Sequence, residues 1–342
     1  MQLMYRGEHM NKKNSDSFKN SGLGQWLYTY AGQLVFLLVL VLILGVTTES
    51  FFKPLNLLNV SRQISNNMII ACAMTMILIS GGIDLSTGSV MAISGMTAAY
   101  LSERGLPFGV TLFAALAVGA LAGVINGLIL ANTNLPPFIV TYSMQSILRG
   151  MVYVITGAAT MRITDKHFLE FGGGSIGRFP YPVIYMLIVI LIVGLLLGRS
   201  RMGRHIYAIG GNIKAAQFAG INIKSIKILI YTISGVCAAL AGLIATSRNS
   251  SMQPALGTGT EMDAIAAVVL GGTSMAGGQG GISGTIIGAM IIGIINNGLN
   301  LLGMDSFYQY IAKGIVILCA VYTDDVKNKQ KIKGIVKKVE KE

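Results

Sequence analysis

The chain has 342 residues; 53% are hydrophobic, only 12% are charged, and the mean hydropathy is +0.65 with a formal net charge of +12. A soluble domain carries roughly twice that charged fraction, and several apolar runs approach the ~20 residues that cross a ~30 Å hydrocarbon core. This excludes a soluble globular protein. The basic balance does not mark a nucleic-acid binder either, because the cations flank apolar runs and no stacking aromatics are interleaved with them.

The elements are read in chain order from helical rise and the rule that excess Lys/Arg marks the cytoplasmic side. Residues 1–26 are a polar extension carrying Arg6, Lys12, Lys13 and Lys19, without a signal-peptide cleavage pattern. Met10 is an alternative start. Span one covers 27–48 and leaves the cytoplasm. The stretch 50–63 reads as an amphipathic helix on the outer surface. Span two is short, 66–80, and ends in GGIDLSTGS; span three covers 90–101 and span four 110–130. The sequence ANTNLPP is a cytoplasmic turn. Span five covers 138–155, and a long outer loop reaches Pro180.

Span six, 183–197, returns to a central segment holding Arg199, Arg201, Arg204, Lys214, Lys224 and Lys227 with no Asp or Glu. Span seven covers 226–246. After another outer loop come apolar runs at 264–271, 282–301 and 308–322, and a tail, 323–342, with seven lysines. The expected fold is an all-α polytopic bundle of about ten crossings, both termini cytoplasmic. The count falls to roughly eight or nine if a short element re-enters instead of spanning. The permease domain is then 27–322, with a cytoplasmic loop at 199–226. Interaction of the basic tail with anionic lipid is expected, and Lys313 is expected to snorkel.

An internal repeat relates ILISGGIDLSTGSVMAISGM (77–96) to AVVLGGTSMAGGQGGISGTIIGAM (267–290). Each has a short apolar helix, a Gly-Gly break, a small polar linker and a small-residue helix. Duplicated, Gly-interrupted segments point to a substrate pathway, because broken backbone at membrane depth needs protein or water to satisfy it. The candidate pathway residues are Gly81, Gly82, Asp84, Ser86, Gly271, Gly272, Thr273 and Ser274. Close helix packing is the alternative use of the glycines. Two roles stand for Asp84: an N-cap of the following helix or a direct substrate contact. Asp263 and Glu261 are read as caps of the next short helix. Arg149 has no sequence-local partner, and either snorkels or pairs with a carboxylate across the bundle.

Nothing in the chain marks bond-making chemistry. GxxxxGK[ST], HExxH and GxSxG are absent, and GGGSIG (172–177) lacks a following Lys-Ser/Thr pair. Cys72, Cys237 and Cys319 are isolated, as are His9, His167 and His205, and neither set has metal-ligand spacing. A large basic segment between apolar spans, in a chain without a nucleotide signature, suggests a channel driven by a separate motor.

Four stretches carry a family resemblance in the same order: GGIDLSTGSVMAISG, GRHIYAIGGNIKAAQFAGI, MDAIAAVVLGGTSMAGGQGGISGTIIGAM and YQYIAKGIVILCAVYTDD. Together they resemble the membrane permeases of bacterial ribose/xylose/galactose-type ABC importers over residues 27–325. The N-terminal extension is not a shared feature. The resemblance implies a non-catalytic subunit of the bacterial cytoplasmic membrane that imports a monosaccharide. It implies a cytoplasmic ABC ATPase that holds ATP and Mg, an extracytoplasmic sugar-binding protein, and a second permease copy or paralogue. No cofactor is implied on this chain. The family's coupling segment maps onto Gly203, Arg204, Tyr207, Ala208, Gly210, Gly211, Asn212, Ala215, Ala216, Gly220 and Ile221. In that frame a short helix over 215–218 docks in a groove on the ATPase. A permease for nucleosides or another small polar solute, and an ion-coupled secondary transporter, are the alternatives.

Overall fold

A computed structural model describes residues 22–305 and scattered helical positions from 308 to 322. The N-terminal cations, Lys313 and the lysine tail lie outside the described residues. Among the described residues, twelve complete helices make up almost all of the fold. They are α1 (Gly22–Thr47), α2 (Pro54–Ile79), α3 (Thr87–Glu103), α4 (Phe108–Asn132), α5 (Pro137–Thr156), α6 (Lys166–Gly173), α7 (Tyr181–Arg199), α8 (Arg201–Gly211), α9 (Ile213–Phe218), α10 (Ile223–Arg248), α11 (Thr260–Leu270) and α12 (Ile282–Leu301). Four two-residue strands form two antiparallel pairs: β1 (Met161–Arg162) with β4 (Ser251–Met252), and β2 (Ser175–Ile176) with β3 (Phe179–Pro180).

Among the described residues, seven helices, α1, α2, α4, α5, α7, α10 and α12, are long and apolar enough to cross a membrane. The chain is a multi-pass membrane protein. α2, α10 and α12 are the most buried of the seven, whereas α1 and α7 turn most of their surface outward. Val35, Leu38, Leu42 and Val46 on α1 and Leu187, Leu191 and Leu195 on α7 are exposed, as a lipid-facing perimeter requires.

Two expectations are corrected. The outer-surface helix and the short second span are one helix, α2, 26 residues long and about 39 Å by helical rise. Pro54 at its first turn supplies the start. Its polar residues need no break: Ser61 and Ser65 bond back to carbonyls of α2 itself, and Asn56 pairs with Asn297 of α12. The run at 264–271 is the end of α11, whose 11 residues rise only ~16 Å, about half a hydrocarbon core.

Small residues set a close seam between α4 and α10. A methyl carbon added to Gly119, Gly123 or Gly127 of α4 would strike the backbone of α10 at Gly235, Tyr231 or Ile228. Backbones this close gain dispersion contacts where lipid offers no hydrophobic drive.

Candidate functional site

The basic segment folds into α8 and α9, joined by one residue. Ser200 caps α8 by accepting from Gly203 N (3.0 Å), and Asn212 caps α9 by accepting from Ala215 N (3.0 Å). α9 stops by a Schellman motif: Ile221 N bonds Ala216 O (3.1 Å), Gly220 N bonds Gln217 O (3.0 Å), and Gly220 takes φ +77°. Gly220 and Ile221 therefore shape the turn. Ala216 is 3% exposed and faces the body of the protein. The expectation that Ala216 lies in a partner's groove is corrected: a six-residue helix must rest one face on its own scaffold, and Ala216 is that face. Phe218, about 200° around the helix, is 92% exposed, and Ala215, Lys214 and Gln217 are exposed with it.

α8 carries the segment into the bundle. Ile206 and Ile209 are buried, Arg204 is exposed and Ala208 half-buried. The Tyr207 hydroxyl donates to Gly280 O (2.8 Å). Burial pushes the Tyr207 phenol up, with Tyr30 adding to the effect, so it stays a donor. At Gly210 the backbone passes so close to Ile79 that an added methyl carbon would run into the Ile79 carbonyl and crowd Gly278 N. That carbonyl already accepts from Gly278 N (2.8 Å). A methyl carbon on Gly277 would stand 2.9 Å from Gly210 O and 3.1 Å from Gly81 N. Gly211, one residue on, has open space.

The two Gly-interrupted segments thus meet at α8. They also stop their helices identically. After α2, Gly81 (φ +79°) and Gly82 bond Leu78 O and Ile77 O (2.9 Å each). After α11, Gly272 (φ +87°) and Thr273 bond Val269 O (2.8 Å) and Val268 O (3.2 Å). Both are Schellman motifs with glycine in the left-handed position. Gly81 is therefore the equivalent of Gly272, one residue out of the register in which the two Gly-Gly pairs align.

Asp84 is buried and is not the N-cap of α3, a place taken by Ser86. Its Oδ1 accepts from Ser86 N (2.9 Å) and Ser86 Oγ (2.6 Å), and its Oδ2 from Ser234 Oγ of α10 (2.7 Å). Ser86 Oγ accepts in turn from Asn126 of α4 (2.9 Å), and Ile83 O accepts from Tyr231 of α10 (3.2 Å). The carboxylate ties the break to two helices. Thr273 and Ser274 are also buried, and Ser274 folds its own loop by accepting from Ala276 N (3.2 Å).

These features sit in a sequence with known relatives. A family model described as "Branched-chain amino acid transport system / permease component" matches residues 56–321. The chain belongs to this permease family. It is 47% identical over 299 residues to the ribose import permease protein of Escherichia coli K12, covering 86% of this chain and 93% of the relative. It is 44% identical to the ribose import permease protein of Bacillus subtilis 168, covering 87% and 93%. It is 39% identical to the D-allose transport system permease protein of E. coli K12, covering 86% and 90%. No solved structure matches.

The permease holds a second polar centre that sequence spacing leaves scattered. Arg149 of α5 donates to Pro254 O and Leu256 O (2.7 Å each), so it pins the segment that leads into α11, and it lies within electrostatic reach of Glu261. Glu261 accepts from Gln145 (3.4 Å), and Asp263 accepts from Asn296 (3.3 Å). Glu261 and Asp263 sit inside the first turn of α11 and are not its caps, since Gly259 holds that position. Both carboxylates still meet the positive helix end. Tyr142, Ser146, Gly150 and Tyr153 are exposed along one stripe of α5, beside a more apolar stripe of Ser143, Ile147, Met151 and Val154. The i, i+4, i+8, i+11 spacing of Tyr142, Ser146, Gly150 and Tyr153 was the signal available in sequence. Among the described residues no group of side chains could hold a metal ion.

Proposed function

We propose that this permease is the membrane subunit of an ABC importer that carries a monosaccharide, a ribose-like pentose or a hexose, into the bacterial cytoplasm. The observation that carries the reading is the seat of α8: one helix of the basic segment touches both broken elements through Ile79, Gly277, Gly278 and Gly280. A partner that grips α9 and moves it would move both breaks together. The chain is non-catalytic in this reading. ATP and Mg belong to a cytoplasmic ATPase docked on the exposed face of α9, with Phe218 as its apolar anchor and Arg204 and Lys214 at the rim. ATP biases the permease only through its different affinity for the two states.

The sugar route runs between this chain and a second permease copy or paralogue, along the Tyr142–Tyr153 stripe of α5. Tyrosine and serine hydroxyls on an exposed helix face suit a polyhydroxylated solute better than lipid. Gly81, Gly82, Asp84, Ser86, Gly271, Gly272, Thr273 and Ser274 form the inner hinge of that route. The polar network around Asp84 gives the hinge a fixed shape. Both termini are cytoplasmic, which puts the outer ends of α2 and α10 toward a sugar-binding protein. Ribose is favoured as cargo by the names of the relatives; the family description favours a branched-chain amino acid instead.

Reconstitution with candidate ATPase and receptor subunits tests the proposal. ATP-dependent uptake of labelled ribose that persists with the proton gradient collapsed is the expected result. Uptake driven by the gradient alone overturns it in favour of secondary transport. Receptor-dependent uptake of leucine or a nucleoside in place of sugar overturns the cargo.

A further inference from the structure

The β2–β3 hairpin turns a small apolar face outward. Its register pairs Ile176 with Phe179 across a two-residue turn of Gly177 and Arg178. Gly177 takes φ +59°, as the first central position of such a turn requires. Residues directly opposed on antiparallel strands lie on the same side. Ile176 and Phe179 therefore form one apolar pair, 62% and 69% exposed, with exposed Arg178 beside them.

The hairpin is held at both ends, which keeps this face outward. On one side α6 is fixed to α10, because the Ser247 hydroxyl donates to Phe168 O (2.5 Å) and accepts from Gly172 N (2.7 Å). Phe171 of α6 also stacks on Tyr185 of α7, with ring centroids 4.8 Å apart. On the other side Tyr181 N donates to Gly174 O (3.1 Å), and a methyl carbon added to Gly174 would strike the Tyr181 ring. The hairpin thus rests on the ring of the first residue of α7.

That ring opens the lipid-facing stripe of the helix. Tyr181, Ile188 and Leu195 are spaced seven residues apart and so share one face, and Ile188 and Leu195 are exposed. The 19 residues of α7 rise ~28 Å, close to the thickness of a hydrocarbon core. Tyr181 therefore stands where that core ends. Arg178 is three residues away, within ~10 Å of it, at headgroup level. It is the sole charged residue between Phe171 and Tyr185.

We infer that the Ile176–Phe179 face is a lipid anchor, seated among the headgroups of the leaflet opposite α8 and α9, with Arg178 on their phosphates. Aromatic and apolar side chains beside a cation suit this depth. The hairpin is continuous with a stripe that lipid already covers, which favours lipid over a soluble partner as occupant. Such an anchor fixes the depth and tilt of α7. The inference needs the chain to span a membrane and does not depend on the importer reading.

The whole permease in phosphatidylcholine proteoliposomes tests it. Trp26 is the single tryptophan of the chain, so Trp26→Phe gives a dark background for fluorescence. On that background Phe179→Trp places a probe on the face, and Ile176→Trp supplies a second probe of the same face should the first fail to assemble. Ile188→Trp marks the acyl core. Emission is measured with nitroxide on the lipid headgroup, with bromine at mid-chain of the lipid, and with acrylamide in the water. The hairpin probe should lose most of its emission to the headgroup nitroxide and resist acrylamide, while the Ile188→Trp probe yields chiefly to bromine. Arg178→Glu added to Phe179→Trp should reopen the probe to acrylamide. A hairpin probe that acrylamide quenches as fully as free tryptophan, and that the headgroup nitroxide leaves bright, overturns the inference. Shielding from acrylamide that appears only when a candidate receptor protein is present on both sides of the membrane assigns the face to protein, and overturns it too.

Discussion

Gly210 of α8 and Ile79 at the end of α2 touch backbone to backbone, and the Ile79 carbonyl is at the same time the acceptor for Gly278 N (2.8 Å). Three segments far apart in sequence therefore share one peptide group. Packed backbones transmit displacement because they cannot be compressed. Gly210→Ala is expected to push α8 off this seat at a cost of about 1–3 kcal/mol. ATP-driven uptake in proteoliposomes should fall about tenfold or more, with ATP hydrolysis continuing. Gly211→Ala, where a methyl carbon meets nothing within 4 Å, is the matched control. It should transport as wild type, and equal defects in both would remove the special role of Gly210.

Tyr207 adds a second tether from α8 to the loop before α12. Removing one hydroxyl that donates to a carbonyl costs about 1 kcal/mol. Tyr207→Phe should lower the maximal uptake rate a few-fold and leave the sugar concentration at half-maximum unchanged, since the tether is remote from the α5 stripe. A change confined to half-saturation would place Tyr207 in the sugar route instead.

Much of this arrangement was legible in the sequence. The basic, acid-free stretch marked the α8–α9 segment, and the Gly-Gly pairs marked both breaks, because helix-stopping glycine has a local cause. The correct register of the repeat was not legible. Gly81 and Gly272 are equivalent because each takes the left-handed position, and two adjacent glycines do not say which one does. The continuity of α2 was hidden by its polar first half, whose hydrogen bonds are made within the helix and to Asn297 across 241 residues. The orientation of Ala216 and the carbonyl partners of Arg149 are likewise products of tertiary packing. Spacing carried no trace of them.

Asp84 separates a hinge role from a sugar contact. Its three accepted hydrogen bonds come from Ser86 and Ser234. Asp84→Asn keeps acceptors for Ser86 and lets the Ser234 hydroxyl turn to accept, so it should retain most stability and uptake. Asp84→Leu strands buried hydroxyls at about 1–3 kcal/mol each and should lower the detergent melting temperature by several degrees. If Asp84 contacts sugar directly, Asp84→Asn will instead raise the half-saturating sugar concentration without any loss of melting temperature.

Ser146 lies at the centre of the exposed polar stripe of α5, one turn from both Tyr142 and Gly150. A tryptophan there adds bulk without disturbing the buried face of the helix. Ser146→Trp should assemble normally and hydrolyse ATP, yet import sugar at a small fraction of the wild-type rate. Ile147→Trp, on the neighbouring apolar stripe, should import normally. Reversal of that pattern would move the route off the stripe.

Phe218 and Ala216 are two residues apart on α9 and face opposite ways, one exposed and one buried. Burying a phenylalanine on a partner is worth roughly 1.5–3 kcal/mol. Phe218→Ala should therefore weaken ATPase association roughly tenfold to a hundredfold, read as loss of co-purification at dilute concentration, while the isolated permease melts as wild type. Ala216→Asp should do the reverse in origin: an unpaired carboxylate forced against the scaffold displaces α9 and lowers the melting temperature of the permease alone. The two substitutions yield the same uncoupled transport by different routes, and only the melting of the ATPase-free permease tells them apart. A Phe218→Ala variant that still holds its ATPase at wild-type affinity would leave the basic rim of Arg204 and Lys214 as the grip, and salt would then dissociate the complex.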